Sequence, residues 1–389
     1  MKADLTLEPA PWMRDDKTQK IMALLNEGCD AAQALFVGGC VRNWILNKSV
    51  HDIDIATILT PDTVILKLSA ADVKVIPTGI DHGTVTAVVD GQPFEITTLR
   101  HDVQTDGRHA KVCFTDSWLE DVKRRDFTMN TLLADNEGRV YDPLGCGIED
   151  AKAGRVIFVG DARARIAEDY LRILRFFRFY AYYGDGAMDD GALGACRDAA
   201  DKISTLSRER IMQEFLKILS ISDPTNVLKI MFDNSVLQGL ADKNYQENVL
   251  QKLCVTQQQN DATNIEARLF VLAGCQPKLF EEHMRLSHAQ KNFIIKLQMA
   301  SYAQLYADER ALKKAIYYHG NDLMVQGYFL GVAMGQVEQS AQMIDFAQNW
   351  QAPKCPITGA TLMAEGYVTG PDLGQELKRR EEEWLEGIV

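Results

Sequence analysis

Short hydrophobic runs separated by turn residues make up the first 160 positions, and this pattern is typical of β-strands. Most runs end in or are followed by Gly, Pro or Asp, residues that terminate strands and begin turns. Asp90 and Gly91 lie between two runs and predict the turn of a hairpin. The runs are ALFVGG (34–39), DIDIAT (52–57), VKVIPT (73–78), TVTAVVDGQPFEITTL (84–99) and RVIFVG (155–160), the last being the expected final strand.

After Gly160 the apolar residues recur at spacings of three and four, which is the period of amphipathic helices. We find neither an internal repeat nor a low-complexity segment. We therefore expect a mixed α/β head followed by an all-helical portion, which is an α+β fold. The predicted helices span 162–182, 205–220, 224–240, 262–275 and 286–304.

The composition is that of a globular protein, with 46% hydrophobic and 25% charged residues among 389. The chain has no run of about eighteen apolar residues, which excludes a membrane span. The N-terminal segment carries Asp and Glu and no apolar core, so we expect neither a secretory signal nor a transit peptide. The eight cysteines form no CxxC pair, which predicts reduced thiols in the cytoplasm and no structural zinc site.

The formal net charge of −12 argues against tight non-specific binding to nucleic acid, because such binding depends on neutralising phosphates. The charge is unevenly distributed. Residues 277–320 hold seven Lys and Arg against four Asp and Glu, a local positive excess in an acidic chain. A locally steered contact with a polyanion therefore stays open.

The segment VGGCVRNWIL at 37–46 joins the end of a predicted strand to a helical pattern through two glycines. Glycines at such a junction let backbone N–H groups approach an anion. Arg42, in the first turn, can fork onto a phosphate. The motif alone is equally compatible with a tight strand–helix turn.

The next predicted strand, HDIDIAT at 51–57, carries Asp52 and Asp54 on one face, while Ile53 and Ile55 point to the other. Two adjacent carboxylates repel each other unless a divalent cation lies between them. Oxygen ligands together with phosphates suit Mg²⁺, and two-metal phosphoryl transfer uses such a pair. The alternative is a solvated strand face, which the glycine loop just upstream makes the less favoured interpretation.

The stretch AEDYLRILRFFRFY at 167–180 combines an apolar helix with regularly spaced charges. Asp169, Arg172, Arg175 and Arg178 recur every three residues, a spacing that predicts neighbouring positions on a helix surface. A surface ladder of ion pairs would explain these charges but not their apolar setting. The pattern indicates that the charged side chains lie against a hydrophobic surface.

These motifs and several others resemble, in order, those of the class II tRNA nucleotidyltransferases. That group comprises the CCA-adding enzymes and their poly(A) polymerase relatives, within the polymerase-β-like superfamily. The resemblance covers about the first 215 residues, and PITGATLMAEGYVTGPDLGQEL at 356–377 resembles the tail of the CCA-adding group. The motifs are GGCVRN (38–43), DID (52–54), HGTV (82–85), FEITTLRHDVQTDGRHAKV (94–112), RRDFTMN (124–130), DPLGCGIEDAKAGRV (142–156), EDYLRILRFFRF (168–179) and LSRERI (206–211).

The resemblance implies a four-part organisation. A polymerase-β-like nucleotidyltransferase head with a mixed sheet is expected at 1–147, and a nucleotide-reading neck at 148–220. A helical body at 221–320 and a helical tail at 321–389, which would contact tRNA, follow.

The resemblance also implies the site residues. Asp52 and Asp54 would be catalytic and would hold Mg²⁺, with two metal ions expected. Asn43 stands where the family usually has Asp, which weakens a nearby charge, and Glu95 stays open between a third acid near the metals and an ordinary edge-strand residue. The expected nucleotide-binding residues are Gly39, Arg42, Arg125, Asp169, Arg172, Arg175 and Arg178.

The resemblance implies that the Asp–Arg helix reads the incoming base, and the chemistry of Asp169 and Arg172 agrees. Cytosine and adenine both present an amino donor beside a ring-nitrogen acceptor, which an accepting aspartate and a donating arginine complement. Uracil and guanine present the reverse arrangement. A wrong base would leave buried groups unpaired, at about 1–3 kcal/mol each.

The function implied by the resemblance is template-independent addition of CCA to the tRNA 3′ end from CTP and ATP. The 3′-hydroxyl would attack the α-phosphate and pyrophosphate would leave. Poly(A) polymerase and CC-adding activity stay open within the family, as does a non-catalytic RNA-binding protein on the same fold. The charged segment at 99–112 predicts a flexible loop. The resemblance implies that an intact loop at this place accompanies the switch from adding C to adding A, which favours full CCA addition. We infer no obligate protein partner.

Overall fold

The computed structural model describes residues 1–28, 31–104, 111–242, 244–275 and 286–388. These residues form two compact units. The first consists of Met1–Ser207 and Asp233–Val236, and the second of Arg208–Phe232 and Leu237–Val389. The division into head, neck, body and tail stays a prediction, because compactness separates the chain only at this coarser level.

Within the described part of the first unit, eight strands form one mixed sheet in the order β1-β10-β9-β2-β3-β6-β5-β4. Strands β3 and β6 pair in parallel, and the other neighbours are antiparallel. The eight strands and the separate hairpin β7–β8 are β1 Leu5–Thr6, β2 Ala34–Val37, β3 Asp54–Thr57, β4 Lys74–Gly79, β5 Thr84–Val89, β6 Gln92–Thr98, β7 Arg100–Gln104, β8 Lys111–Phe114, β9 Leu133–Ala134 and β10 Arg139–Tyr141.

The strands predicted within 34–99 are confirmed, and so is the hairpin turn. Asp90 and Gly91 both have positive φ, at 46° and 81°, the backbone conformation that a two-residue hairpin turn requires. In β3 the residues Ile55 and Ala56 are buried, and Ile53 just before the strand is buried as well. The hydrophobic pattern therefore predicted both the strands and their buried side.

The prediction of a final strand at 155–160 is wrong. Only an isolated bridge between Phe158 and Phe127 forms there, because this segment packs its one aromatic side chain, Phe158, against Phe127 and against Phe176 of a helix instead of extending the sheet. Three short strands, β1, β9 and β10, extend the sheet beyond β2. They are too short to show alternating hydrophobic residues in the sequence. The segment at 99–112 also departs from the prediction, since β7 and β8 pair as a hairpin; residues 105–110 lie outside the described residues.

The helix predicted at 162–182 is two helices, α7 and α8, separated at Asp169 and Tyr170. Asp169 has the extended backbone angles φ −154° and ψ 106°, which end the first helix. The helices of the first unit are α1 Pro11–Arg14, α2 Asp16–Asn26, α3 Gly39–Ile45, α4 Pro61–Ala70, α5 Trp118–Lys123, α6 Gly147–Lys152, α7 Ala162–Glu168, α8 Leu171–Tyr183 and α9 Asp190–Asp198.

An aromatic cluster fixes α8 inside the first unit. Phe127 and Phe158 lie with ring centroids 4.9 Å apart, and Phe158 stacks on Phe176 at 5.7 Å. Phe127 also contacts Phe179 at 4.9 Å. Large buried rings contribute most of the hydrophobic stabilisation at such a contact, so the apolar face of α8 is firmly seated.

The described part of the second unit is entirely helical, which confirms the α+β fold class. Its central helix, Asn321–Ala333, is buried on nearly all sides and packs against the helices on either side of it in the chain. The helices are Arg208–Leu219, Thr225–Asp233, Glu247–Gln259, Ile265–Leu272, His288–Ala300, Glu309–His319, Asn321–Ala333, Ala341–Asn349, Gly359–Ala364 and Pro371–Ile388. No described helix in either unit is long and apolar enough to cross a membrane.

Arg268 is a fully buried cation of the second unit, with 0% exposure. Its guanidinium group donates to the carbonyl oxygens of Leu219, Ile221 and Ser222, where the helix Arg208–Leu219 ends. Those carbonyls have no partner within the helix, so Arg268 satisfies them and gains compensation for its own burial. Burial lowers the pKa of Arg268 from its usual value.

We predict opposite effects for two Gly→Ala substitutions in helices of the second unit. A Cβ on Gly327 would come within 2.4 Å of the Ala300 carbonyl oxygen, whereas one on Gly374 would meet nothing within 4 Å. We expect Gly327→Ala to lower the free energy of unfolding by about 1–3 kcal/mol through overpacking. Gly374→Ala should raise it by about 0.5–1 kcal/mol, because alanine favours the helix. Urea denaturation of both variants checks this, and equal effects would contradict the close packing at Gly327.

Candidate active site

An acidic edge forms where β3 begins. Asp52 is exposed and Asp54 is half-buried, while Ile53 and Ile55 between and beyond them are buried, as expected for alternating side chains. Parallel pairing with β6 puts Glu95 directly beside Asp54. The structure therefore brings Asp52 and Asp54 together with Glu95, the acid whose role the sequence left open.

The electrostatics of this edge favour a bound cation. Burial, together with the nearby charges of Glu95 and Asp52, raises the pKa of Asp54 to about 6, while the charges of Arg125 and Arg42 oppose the shift. A divalent cation between such carboxylates would relieve their repulsion. Among the described residues no three metal-ligating side chains converge into a preformed cage, so the fit rests on this repulsion and on the oxygen chemistry of the donors.

The glycine pair forms the turn between β2 and α3. Gly38 has φ 69°, in the region that favours glycine, and a Cβ there would lie 3.6 Å from Nη1 of Arg125. Gly39 begins α3, and a Cβ on it would lie 3.8 Å from Arg42. The glycines thus keep the backbone of this turn open beside two guanidinium groups.

Arg42 is almost fully buried, with 6% exposure. It donates to Asn130 Oδ1, to Asn43 Oδ1 at 2.9 Å and to the Tyr183 hydroxyl at 2.7 Å. Its guanidinium group lies 4.1 Å from the centroid of the Tyr183 ring, a cation–π contact. These contacts make Arg42 a support for the glycine turn, and its expected contact with the nucleotide stays a prediction.

Asn43, the departure from the family pattern, takes part in the same network. Its Oδ1 accepts from Arg42 and from the Tyr183 hydroxyl at 3.0 Å, and its Nδ2 donates to the Ser49 carbonyl at 2.8 Å. An aspartate could replace the acceptor but not the donor. The amide is therefore accommodated by a hydrogen bond that only it can make.

Arg125 lies beside the glycine turn and faces the acidic edge. Its Nη1 is the atom nearest to the place of a Gly38 Cβ, and its charge opposes the pKa rise of Asp54. Its Nη2 donates to buried Asp121 at 2.8 Å, so its direction is set from behind. This geometry suits a contact with the phosphates of a nucleotide held against the turn.

Buried Asp126 forms an ion pair with Arg175, which is partly exposed. Arg175 donates to Asp126 Oδ2 from Nε at 2.8 Å and from Nη2 at 2.5 Å, while Asp126 Oδ1 accepts from Asn130 and from the Phe127 N–H at 2.9 Å. Burial would raise the pKa of Asp126, but the charge of Arg175 and these hydrogen bonds lower it overall. Arg175 therefore ties α8 to the RRDFTMN segment.

Asp169 lies at the break between α7 and α8 rather than on the helix surface. Its Oδ1 accepts from the Leu171 N–H at 3.1 Å, at the start of α8. Arg172, on α8, donates to Glu168 Oε2 at 2.6 Å and to the carbonyl oxygens of Arg165 and Arg124 at 2.8 and 3.2 Å. Both expected base-reading residues thus have orientations set by neighbouring groups.

Arg178 lies further along α8, next to an aromatic ring that collects three cations. The guanidinium groups of Arg178, Arg42 and Arg175 lie 4.8, 5.1 and 5.5 Å from the Phe179 ring centroid. The negative face of a ring attracts cations, which helps to hold like charges close together. Arg178 therefore belongs to the same cluster as the other two arginines.

Three residues that contact arginines of the site were not among those expected from the sequence: Asp121, Glu168 and Tyr183. Asp121 and Glu168 have a weak signal, since each lies three or four residues from an arginine that it pairs with. Tyr183 has none, because its partner Arg42 is 141 residues away.

The positive excess at 277–320 is partly neutralised in the structure. Lys313 pairs with Glu309 at 2.7 Å, and Glu386 pairs with both Arg310 and Lys314. Residues 277–285 of this segment, which hold two of its basic and two of its acidic residues, lie outside the described residues. The described lysines of this segment therefore present less net charge than the sequence suggests.

Two family profiles match the chain. One, described as the Poly A polymerase head domain, matches residues 34–157. The other, described as the probable RNA and SrmB-binding site of polymerase A, matches residues 187–242.

Curated relatives match over nearly the whole chain. The CCA tRNA nucleotidyltransferase 1, mitochondrial, of Danio rerio is 32% identical over 95% of this chain and 89% of its own length. The CCA-adding enzyme of Streptococcus pyogenes serotype M3 is 32% identical over 95% of this chain and 93% of its own length. Among solved structures, the Bacillus stearothermophilus CCA-adding enzyme in complex with CTP has a TM-score of 0.77 at 25% identity and covers 98% of this chain and 94% of its own.

We predict that Tyr183→Phe destabilises the first unit. The variant keeps the ring but removes the hydroxyl that accepts from Arg42 and donates to Asn43. Since a hydrogen bond to a buried charge is lost, we expect the free energy of unfolding to fall by about 1.5–3 kcal/mol in urea denaturation. Tyr302→Phe, at a tyrosine with 49% exposure, is the control and should change it by less than about 0.5 kcal/mol. Similar values for both variants would contradict the network.

Proposed function

The chain belongs to the family of the CCA-adding tRNA nucleotidyltransferases, and we propose that it adds C, C and A to tRNA 3′ ends from CTP and ATP. The tRNA 3′-hydroxyl attacks the α-phosphate in line, and pyrophosphate leaves. No nucleic-acid template is needed, because protein side chains select the base. The observation that carries this proposal is the half-buried carboxylate of Asp54, held beside Glu95 and opposite Arg125.

Asp52 and Asp54 are the proposed catalytic carboxylates. Both side chains project from the same face at the start of β3. Strand β3 pairs with β2, which leads into the glycine turn, so the reacting phosphate can lie between the two acids and Arg125. Bound here, Mg²⁺, which we propose as a pair of ions, would lower the pKa of the attacking hydroxyl and offset negative charge on the phosphate. The protein itself contributes orientation, since buried Ile53 and Ile55 fix the backbone that carries both carboxylates.

Arg125 and the Gly38–Gly39 turn are proposed to hold the triphosphate. The left-handed backbone of Gly38 leaves room for an anion, and Arg125 Nη1 lies beside it. Arg42, Arg175 and Arg178 would add positive potential from the cluster around Phe179 while holding the turn and α8 in place. A preset guanidinium group costs little further ordering when the phosphate binds.

Asp169 and Arg172 are the proposed base-reading pair. Asp169 would accept from the amino group of cytosine or adenine, and Arg172 would donate to the ring nitrogen. The contacts of Arg172 with Glu168 and with two backbone carbonyls support this role, because a fixed donor can reject a base that offers another donor. One pair of side chains therefore serves both substrates.

The tRNA partner is proposed to contact the helical body and tail, 221–320 and 321–389. The acidic net charge of −12 and the neutralised lysines of 309–319 favour recognition of the shape and backbone of the tRNA rather than a broad electrostatic surface. The head at 1–147 and neck at 148–220 would carry the chemistry.

The cytoplasm is the proposed location. The cysteines of the described residues are all free, and Cys40, Cys196 and Cys254 are buried. Reduced, buried thiols are typical of proteins from a reducing compartment.

Poly(A) polymerase and CC-adding activity are separated from CCA addition by one assay. We incubate the protein with a tRNA lacking its 3′ CCA and with labelled CTP or ATP, alone and together. CCA addition gives two C and one A, a CC-adding enzyme stops before A, and a poly(A) polymerase extends with ATP alone. A non-catalytic RNA-binding protein incorporates nothing.

We predict that Asp52→Ala and Asp54→Ala each abolish this addition. Loss of either carboxylate should lower kcat/KM by at least about 100-fold, because a bound metal supplies several kcal/mol of transition-state stabilisation. Asp62→Asn, an exposed carboxylate of α4, is the control and should keep the wild-type rate. Near wild-type addition by either alanine variant would refute the assignment of the catalytic acids.

We also predict that Asp169→Ala and Arg172→Ala damage base choice more than chemistry. Each should lower kcat/KM for CTP and ATP together, by about 10- to 100-fold, since a buried charged hydrogen bond is lost. UTP and GTP should gain relative to them, because part of the discrimination is repulsion. The measurement is single-nucleotide addition with all four triphosphates.

The matched control for this prediction is Arg165→Ala. Arg165 pairs with the same Glu168, at 2.5 Å, but is not one of the proposed base-reading residues. It should leave the UTP-to-CTP ratio unchanged. If Asp169→Ala and Arg172→Ala also leave that ratio at the wild-type value, α8 supports the site without reading the base.

A further inference from the structure

Asp121 is a buried carboxylate that receives two guanidinium forks. It lies in α5 with 1% exposure. Arg124 donates to its Oδ1 from Nε at 2.8 Å and from Nη2 at 2.6 Å. Arg125 donates to its Oδ2 from Nε at 3.2 Å and from Nη2 at 2.8 Å. Both oxygens are therefore occupied by separate arginines.

The spacing along α5 explains this arrangement. The two arginines follow Asp121 by three and four residues, and α5 ends at Lys123, so their side chains turn back onto the last turn of the helix. Burial would raise the pKa of Asp121, but the charges of Arg125 and Arg124 lower it overall, so it stays ionised. A single negative charge thus offsets two positive ones.

The two arginines connect Asp121 to different parts of the candidate active site. Arg125 directs its Nη1 toward the glycine turn at Gly38. The carbonyl oxygen of Arg124 accepts from Arg172 Nη2 at 3.2 Å, and its Nε donates to the Arg100 carbonyl at 3.0 Å. Asp121 itself touches neither the turn nor the acidic edge in any of these contacts.

We propose that Asp121 is a positioning residue that sets Arg125 for the triphosphate and, through the backbone of Arg124, holds the base-reading Arg172. The inference rests on the proposed function, in which these two arginines contact the nucleotide. Without the carboxylate, the guanidinium groups of Arg124 and Arg125 would repel each other and leave their present directions. Phosphate holding and base reading would then weaken together.

The test is Asp121→Asn, with kinetics of CTP and ATP addition and direct titration of CTP binding to the full-length protein. The amide has the same shape but offers one acceptor and places N–H donors against a guanidinium group. We expect KM for both nucleotides and the dissociation constant for CTP to rise about tenfold, with a smaller change in kcat, because ground-state binding is lost.

Asp135→Asn is the matched control for a purely structural effect. Asp135 is also buried, accepts from Arg139 Nε at 2.7 Å and from the Tyr141 hydroxyl at 2.8 Å, and is not one of the proposed site residues. It should lower Tm without raising KM. Equal KM effects of the two substitutions would overturn the proposal.

A double mutant shows whether Asp121 acts through Arg125. Arg125→Ala should weaken CTP binding by itself, and adding Asp121→Asn to it should weaken CTP binding by less than Asp121→Asn does alone, because only the connection through Arg124 to Arg172 is then left to lose. Fully multiplicative effects would overturn the proposal. If Asp121→Asn is unfolded at the assay temperature, Asp121→Glu, which keeps the charge but displaces both forks, replaces it with the same expectations.

The outcomes also separate this inference from the proposed function. Wild-type protein that binds CTP but adds no nucleotide to tRNA contradicts CCA addition and leaves the CTP titration of Asp121→Asn as the test of positioning. Wild-type addition with unchanged CTP binding and KM in folded Asp121→Asn contradicts only the positioning role.

Discussion

The ion pair between Asp126 and Arg175 joins the segment after α5 to helix α8, and the candidate nucleotide site depends on that connection. A carboxylate with 8% exposure is costly unless it is paired, so removing Arg175, which is itself partly exposed, would leave the charge of Asp126 buried without its ion-pair partner. The pair therefore holds the two segments at one separation. Arg172, three residues before Arg175, and Arg125, just before Asp126, take their positions on either side of this connection.

Opposite charges then arise close together without cancelling. Burial and the neighbouring charges of Glu95 and Asp52 raise the pKa of Asp54, so this acidic edge favours a cation, while Arg125 lies near it and suits an anion. A nucleoside triphosphate with bound metal carries both signs of charge. The site is thus complementary to the substrate before the substrate arrives, and preorganised charges of this kind stabilise a transition state more than mobile ones do.

The second unit also contains a buried charge, which is compensated in a different way. Arg268 is buried, and its charge is compensated by backbone carbonyls at a helix end. At the surface, Lys313 and Lys314 pair with acids. Because exposed positive charge is limited, binding of tRNA by this acidic chain would depend on shape and on few phosphate contacts rather than on a general attraction.

The sequence by itself determined the features that depend on neighbours along the chain. Alternating isoleucines and aspartates at 52–55 predicted the acidic edge, and the turn at Asp90 and Gly91 predicted a hairpin, because strand geometry and turn conformation are local. The order of the motifs predicted the family. Tertiary structure alone decided which groups Arg42 and Arg175 meet. Arg42 reaches Tyr183 across 141 residues and Arg175 reaches Asp126 across 49, since buried charges take whichever partners the fold brings near, and no local spacing records that choice.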